Sequence, residues 1–171
     1  MIGRLKEVFP HIDKKGCLKV VNNKFFEIID NEVGKPSYII EKNGQFKVIN
    51  KEQKKIGFLA VDECLFASSD GSRSDCIVFD DDVLCFIELK HCKNKNIRQN
   101  RKKAKEQLKK TITFFTENID FSHQKEAYIC VTCSSIKENF TMTPRASNFE
   151  AQLEFEEDFE TKLFYVCEKE F

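Results

Sequence analysis

The sequence predicts a mixed α/β (α+β) fold, a central mixed β-sheet flanked by helices, on three observations. Apolar, β-rich runs of strand length recur at 38–49, 56–68, 74–90, 126–134 and 161–169. One long amphipathic stretch, 97–119, separates the third of these from the fourth, and an acidic helical stretch, 148–160, separates the fourth from the fifth. The chain has 171 residues, 41% of them hydrophobic, which is enough for one domain with a core of its own. Only three prolines, no internal repeat and no low-complexity run interrupt it, so a single domain over 1–171 is expected.

Residues 23–31, NKFFEIIDN, fit a short helix or a strand. In SYIIEKNGQFKVIN, Asn43-Gly44 lies between two β-rich runs, and both residues tolerate the positive φ of a type I′ turn, so a hairpin of strands 38–42 and 45–49 is expected. IGFLAVDECLFAS, 56–68, is a buried strand or a short helix, since periodicity does not separate the two. SDCIVFDDDVLCFIELK, 74–90, reads as two strands around a solvated turn at Asp80-Asp81-Asp82. Its apolar residues fill both alternating sets, Cys76, Val78, Cys85, Ile87 and Leu89 against Ile77, Phe79, Leu84 and Phe86, as in a sheet covered on both faces.

IRQNRKKAKEQLKKTITFFTENI, 97–119, is a helix with Ile97, Ala104, Leu108, Ile112 and Phe115 near one face and a cap at Asn94 or Asn96. EAYICVTCS and TKLFYVCEK, 161–169, each read as one strand. NFEAQLEFEEDFE between them reads as an acidic helix anchored by Leu153, Phe155 and Phe159.

Charge balances at 28 basic against 28 acidic groups, so attraction of the whole chain to polyanions is not expected. The distribution is uneven: Lys90 to Lys110 holds ten Lys/Arg against Glu106 alone, while Glu150 to Phe171 holds eight acids against two lysines. The N-terminus lacks the apolar segment of a signal peptide and no run is long enough to span a bilayer, so a cytoplasmic protein with no membrane partner is expected. In that compartment the eight cysteines would be free thiols used as small core residues. The C-x-x-C at Cys130 and Cys133 has no second Cys or His pair at zinc-finger spacing.

Function enters at 75–107. With Asp81-Asp82 as the hairpin loop, Asp80 faces Val83 and Asp75 falls opposite Glu88; a three-residue loop would put Ser74 there instead. Opposed side chains hold their Cβ atoms about 4.5–5.5 Å apart, and like charges there are destabilising. Two full charges about 5 Å apart at an effective dielectric near 20 repel by roughly 3 kcal/mol. A divalent cation would offset this, and Mg²⁺ characteristically takes one or two carboxylates and leaves positions for water and phosphate. Lys90 shares the face of Glu88 by the period-two rule, and His91 points to the other.

Asp75, then Glu88-Leu89-Lys90 across a hairpin, then a helix carrying Gln107 resembles the active site of the PD-(D/E)XK nuclease superfamily, with Ser74 where that family has proline. The resemblance implies a restriction-endonuclease-like core, a metal held by Asp75 and Glu88, Lys90 positioning or activating water, and Gln107 assisting. It also implies an upstream acid, Glu63 by placement, with Glu27 and Glu32 as rivals. Lys93, Lys95, Arg98, Arg101, Lys102 and Lys105 lie just past the site, where a phosphate backbone would run. The expected protein is thus an Mg²⁺-dependent nuclease, with Mn²⁺ able to substitute, acting on DNA in preference to RNA. Targeting would come from a homo-oligomer or a protein partner, as in a defence or repair assembly. The alternative is the same fold without activity, serving as a binding or assembly module.

Overall fold

The apolar runs form two sheets. The computed structural model describes residues 1–30, 34–66, 69, 71–133 and 146–171. Their order is α1 (Ile2–Val8), α2 (Ile12–Lys15), β1 (Leu18–Val21), β2 (Phe25–Ile29), β3 (Tyr38–Ile40), β4 (Phe46–Ile49), β5 (Ile56–Ala60), β6 (Cys76–Phe79) and β7 (Val83–Cys92). Then come α3 (Ile97–Asn118), β8 (Gln124–Cys133), α4 (Ala146–Phe159), β9 (Thr161–Phe164) and β10 (Glu168–Glu170). The fold is mixed α/β, as expected.

The large sheet has the order β1-β5-β6-β7-β8-β9 and the small one β10-β4-β2-β3. In the large sheet β1, β5, β6 and β7 pair antiparallel, whereas β8 and β9 join in parallel. Connection length explains the change. Three aspartates join β6 to β7, and the Asp80 carboxylate closes that turn by accepting from the backbone N–H groups of Asp82 (2.9 Å) and Val83 (2.8 Å). The 22-residue α3 joins β7 to β8, and a connection of that length returns the chain in the same direction.

Helix α3 covers one face of the large sheet with Ala104, Leu108, Thr111, Ile112 and Phe115, and Phe115 meets Phe86 of β7 edge to face at 5.9 Å. Ile97 at the first turn is half-buried, and Asn96 takes the cap position without a side-chain capping bond. The small sheet meets the large one through Phe46 of β4 and Tyr128 of β8, 5.3 Å between ring centres. One apolar cluster runs through both sheets, so strands β5 and β6 are buried along their whole length.

Four expectations change. NKFFEIIDN is a strand, and it separates the two strands of the expected hairpin: β2 pairs antiparallel with β3 on one side and with β4 on the other. Phe26 and Ile28 of β2 are at most 2% exposed, and that apolarity gains most from the inner position. Asn43, at φ +68°, and Gly44 therefore carry the chain across the end of β2, where the Gly44 N–H donates to Glu27. A Cβ on Gly44 would stand 2.5 Å from the Glu27 Cβ, so glycine serves close approach rather than a hairpin.

TKLFYVCEK is not one strand. β9 pairs with β8 in the large sheet, and after Tyr165–Cys167 the chain pairs as β10 with β4 in the small one. The redirection coincides with a disulfide between Cys130 and Cys167, and a second joins Cys17 to Cys64. Free buried thiols remain at Cys76 and Cys85, so the expectation of unpaired cysteines holds for these and fails for the four in cystines. No helix among the described residues is long and apolar enough to cross a membrane. Finally, α4 buries Phe155 and half-buries Phe159, but Leu153 is exposed and anchors nothing.

Candidate active site

The β6–β7 ladder runs Cys76↔Ile87, Ile77↔Phe86, Val78↔Cys85 and Phe79↔Leu84. Continued by one step, this register sets Asp75 against Glu88, the arrangement expected from a two-residue turn. The pair lies in the carboxyl half of β7 and beside that of its parallel neighbour β8, next to the chain that leaves β5.

Asp75 is held on every side. Its Oδ2 accepts from the Leu89 N–H at 2.6 Å, and its backbone carbonyl accepts from Ser37 Oγ (3.1 Å) and the Val61 N–H (3.0 Å). Helix α3 fixes the two residues before it: Thr111 Oγ1 accepts from the Ser74 N–H at 2.8 Å, and Gln107 Nε2 donates to the Arg73 carbonyl at 2.7 Å. Gln107 therefore positions the chain that leads into Asp75, which differs from a direct role at the reacting atoms. Thr111, which no motif singles out, does the same for Ser74.

Glu88 is 0% exposed. Its Oε1 forms an ion pair with the Lys90 ammonium, as the shared face of the two residues requires. Apart from that pair, neither carboxylate oxygen has a hydrogen-bond partner among the described residues. Burial, then the neighbouring Asp75, pushes the Glu88 carboxyl well above its usual range. Burial likewise raises Asp75, to about 7, with Lys90 opposing and Asp30 and Asp62 adding to the shift. For Lys90 burial lowers the ammonium pKa, and the charges of Glu88 and Asp75 more than reverse this.

Asp30, at the end of β2, and Asp62, after β5, are further acids of this centre, both raised first of all by burial. Nothing in the sequence reading selects them. Each follows an apolar strand at its carboxyl end, FFEII and IGFLAV, the same context that makes Glu88 conspicuous. Glu63 adjoins the centre, lining the cleft and raising Asp62 by its charge, and it adopts a left-handed φ of +57°. Glu27 is occupied by the Gly44 N–H, and Glu32 lies outside the described residues.

A cleft of about 790 Å³ lies between the sheets, lined by Asp30 and Gln45 from the small sheet's side and Asp62, Glu63, Lys90 and His91 from the large; Asp75 and Glu88 lie behind Lys90 and Leu89 and do not line it. His91, though opposite Lys90 in alternation, lies at its mouth with Nδ1 3.1 Å from Thr132 Oγ1. A second hollow, about 610 Å³, shares His91 and continues along Lys93, Lys95, Asn96 and Asn100. Lys93, Lys95, Arg98 and Lys102 are exposed; Lys105 is half-buried, as is Arg101, whose guanidinium lies over the Tyr165 ring at 5.5 Å.

Among the described residues no group of three or more His, Cys, Asp or Glu side chains is placed to hold a metal ion. The donors Asp75 and Glu88 nevertheless suit Mg²⁺, which uses one or two carboxylates, and Glu88, whose Oε1 meets only Lys90 and whose Oε2 has no hydrogen bond among the described residues, is chemically a ligand in waiting. Fold and site together define a mixed α/β protein with a buried carboxylate–lysine centre at the end of its large sheet. No protein-family model matches the chain, and neither a curated protein nor a solved structure is significantly similar to it.

Proposed function

We propose that the protein is an Mg²⁺-dependent nuclease that hydrolyses phosphodiester bonds, DNA in preference to RNA, with a restriction-endonuclease-like core and Mn²⁺ as a substitute ion. The observation that carries this reading is the buried pair Asp75 and Glu88 with the Lys90 ammonium against Glu88. Acids so placed are destabilising unless a cation is part of the working state. Asp75 and Glu88 would hold the metal, with Asp62 or Glu63 beside them. When bound, such an ion neutralises phosphate charge and makes water more acidic.

The chain's own groups do the rest. Lys90, released from Glu88, presents an ammonium to the attacking water or to a phosphate oxygen, as a movable point charge. A P–O bond forms to the water oxygen as the P–O bond to the leaving sugar oxygen breaks; the water gives up a proton and the leaving oxygen takes one. Gln107 and Thr111 keep Asp75 in place through the backbone of 73–74. The exposed lysines and Arg98 supply phosphate contacts, and a homo-oligomer or protein partner supplies targeting, as in a defence or repair assembly.

A second reading, an inactive binding or assembly module of the same fold, draws on the closed Glu88–Lys90 pair and on the absence of a three-ligand group among the described residues. Incubation with plasmid and single-stranded DNA in Mg²⁺, Mn²⁺ or EDTA, beside Glu88→Ala and Lys90→Ala, separates the two. Cleavage that needs metal and is lost in both variants supports the nuclease. Equal cleavage by wild type and variants sinks the assignment, and no cleavage together with no Mg²⁺ effect on melting favours the module.

A further inference from the structure

We infer that the substrate is single-stranded nucleic acid, threaded through the two joined hollows, rather than an intact duplex. This rests on the nuclease reading and adds to it the form of nucleic acid that the site can take.

Depth is the first reason. Chemistry at phosphorus requires the attacking water and the scissile phosphate to lie about 3–3.5 Å apart beside the catalytic groups. Those groups are sunk: Glu88 is 0% exposed and Asp75 5%, and the side chain of Lys90 keeps 21%. Of the three only Lys90 lines the cleft, which at about 790 Å³ has the dimensions of a small-ligand pocket and takes its walls from different sheets. In a duplex the two strands move together, so a phosphate of one enters a cleft walled on both sides only where the cleft also admits its partner strand. A single strand with free torsions carries no partner with it and enters a narrower opening.

Continuity is the second reason. The basic hollow lined by Lys93 and Lys95 adjoins the cleft, because His91 borders both. A strand with its scissile phosphate beside Lys90 would carry its next phosphates over Lys93 and Lys95. That is the positively charged track typical of single-strand grooves. His91 stands at the junction with its ring steadied by Thr132, where an imidazole can stack on an unpaired base. An acidic pocket followed by a basic track thus separates the place of chemistry from the place of grip.

The test uses the full chain with a single-stranded DNA oligonucleotide, its RNA equivalent, the blunt duplex of the same sequence and covalently closed plasmid. Rates are measured with Mg²⁺, and binding by fluorescence anisotropy in EDTA. Single strands should be cut, and should bind, at least about tenfold better than the blunt duplex. His91→Ala should weaken single-strand binding several-fold with the melting temperature unchanged, and His91→Phe should restore it. Closed plasmid nicked as fast as single strands are cut would overturn the inference and leave the nuclease reading standing. Should nothing be cut, the nuclease reading fails and anisotropy decides the inference: a tenfold preference for single strands upholds it, and equal or absent binding ends it.

Discussion

The β7–β8 pair carries two shielded carboxylates, half-buried Glu126 and fully buried Glu88, and the two are kept in opposite ways. Glu126, near the start of β8, accepts from the Tyr128 hydroxyl at 2.5 Å and from the Lys169 ammonium at 2.7 Å, with the Cys85 thiol at 3.7 Å. Each of these neighbours is neutral or positive. Glu88, toward the far end of β7, has Lys90 against it, but Asp75 and Asp62 press on it with their charges. A half-buried carboxylate surrounded by donors joins two sheets, here through Lys169 of β10. A buried carboxylate surrounded by its own kind is a cost that stability alone does not explain, and such places are where chemistry is sought first.

The contrast can be broken by substitution. The largest effect expected is on activity: Glu88→Gln or Lys90→Met should lower metal-dependent cleavage by about a thousandfold or more, while Glu126→Gln should not change the rate constant of correctly folded protein. Stability should move the other way. Glu126→Ala should cost about 1–3 kcal/mol in urea unfolding by leaving Tyr128 and Lys169 without their acceptor, and Lys169→Met should also destabilise. A stabilising Glu126→Ala would remove the distinction drawn here between the two ends.

The acid end should show itself in pH dependence. Asp75 has its pKa pushed to about 7 by burial, so between about pH 4 and 7 the folded chain keeps a proton that the unfolded chain has lost. The associated stability is complete below the unfolded value and is lost as pH rises through about 7. Asp75→Asn should therefore raise the melting temperature at about pH 8 and do little at about pH 5, and equal effects at the two would refute the shift. The smallest effect expected is a rise of a few degrees in wild-type melting on adding Mg²⁺ above neutral pH, absent in Glu88→Gln. Activity should climb with pH across the same range, since a protonated Asp75 neither binds metal nor repels Glu88.

What the sequence made legible was local. The register of the 75–88 hairpin follows from a turn whose first aspartate caps it, and the pairing of Glu88 with Lys90 follows from alternation within one strand. Helix α3 shows at nearly its true length because one face is apolar at a period that needs no partner to be read. What stayed hidden depends on distant neighbours. Nothing within 38–49 says that β2 inserts between its two halves, and nothing within 161–169 says that the run changes sheets at Tyr165–Cys167. Asp30 and Asp62 escaped for the same reason: an acid at a strand end is unremarkable until three other strand ends are seen to meet it. Cystine pairing is equally nonlocal, Cys17 with Cys64 and Cys130 with Cys167.

The change of sheets at the C-terminus also sets an order of assembly. β10 is an edge of the small sheet, and it pairs in parallel with β4, a strand made much earlier; Lys51 and Glu170, which close that edge, are 119 residues apart in the chain. Contacts of such high order form late in folding, because the loop they close costs entropy before the contacts return anything. Until then the small sheet lacks its last strand, and the cleft wall built on that sheet rests on an unfinished frame. The local β6–β7 hairpin, which sets Asp75 against Glu88, can thus form before the edge strand that completes the small sheet.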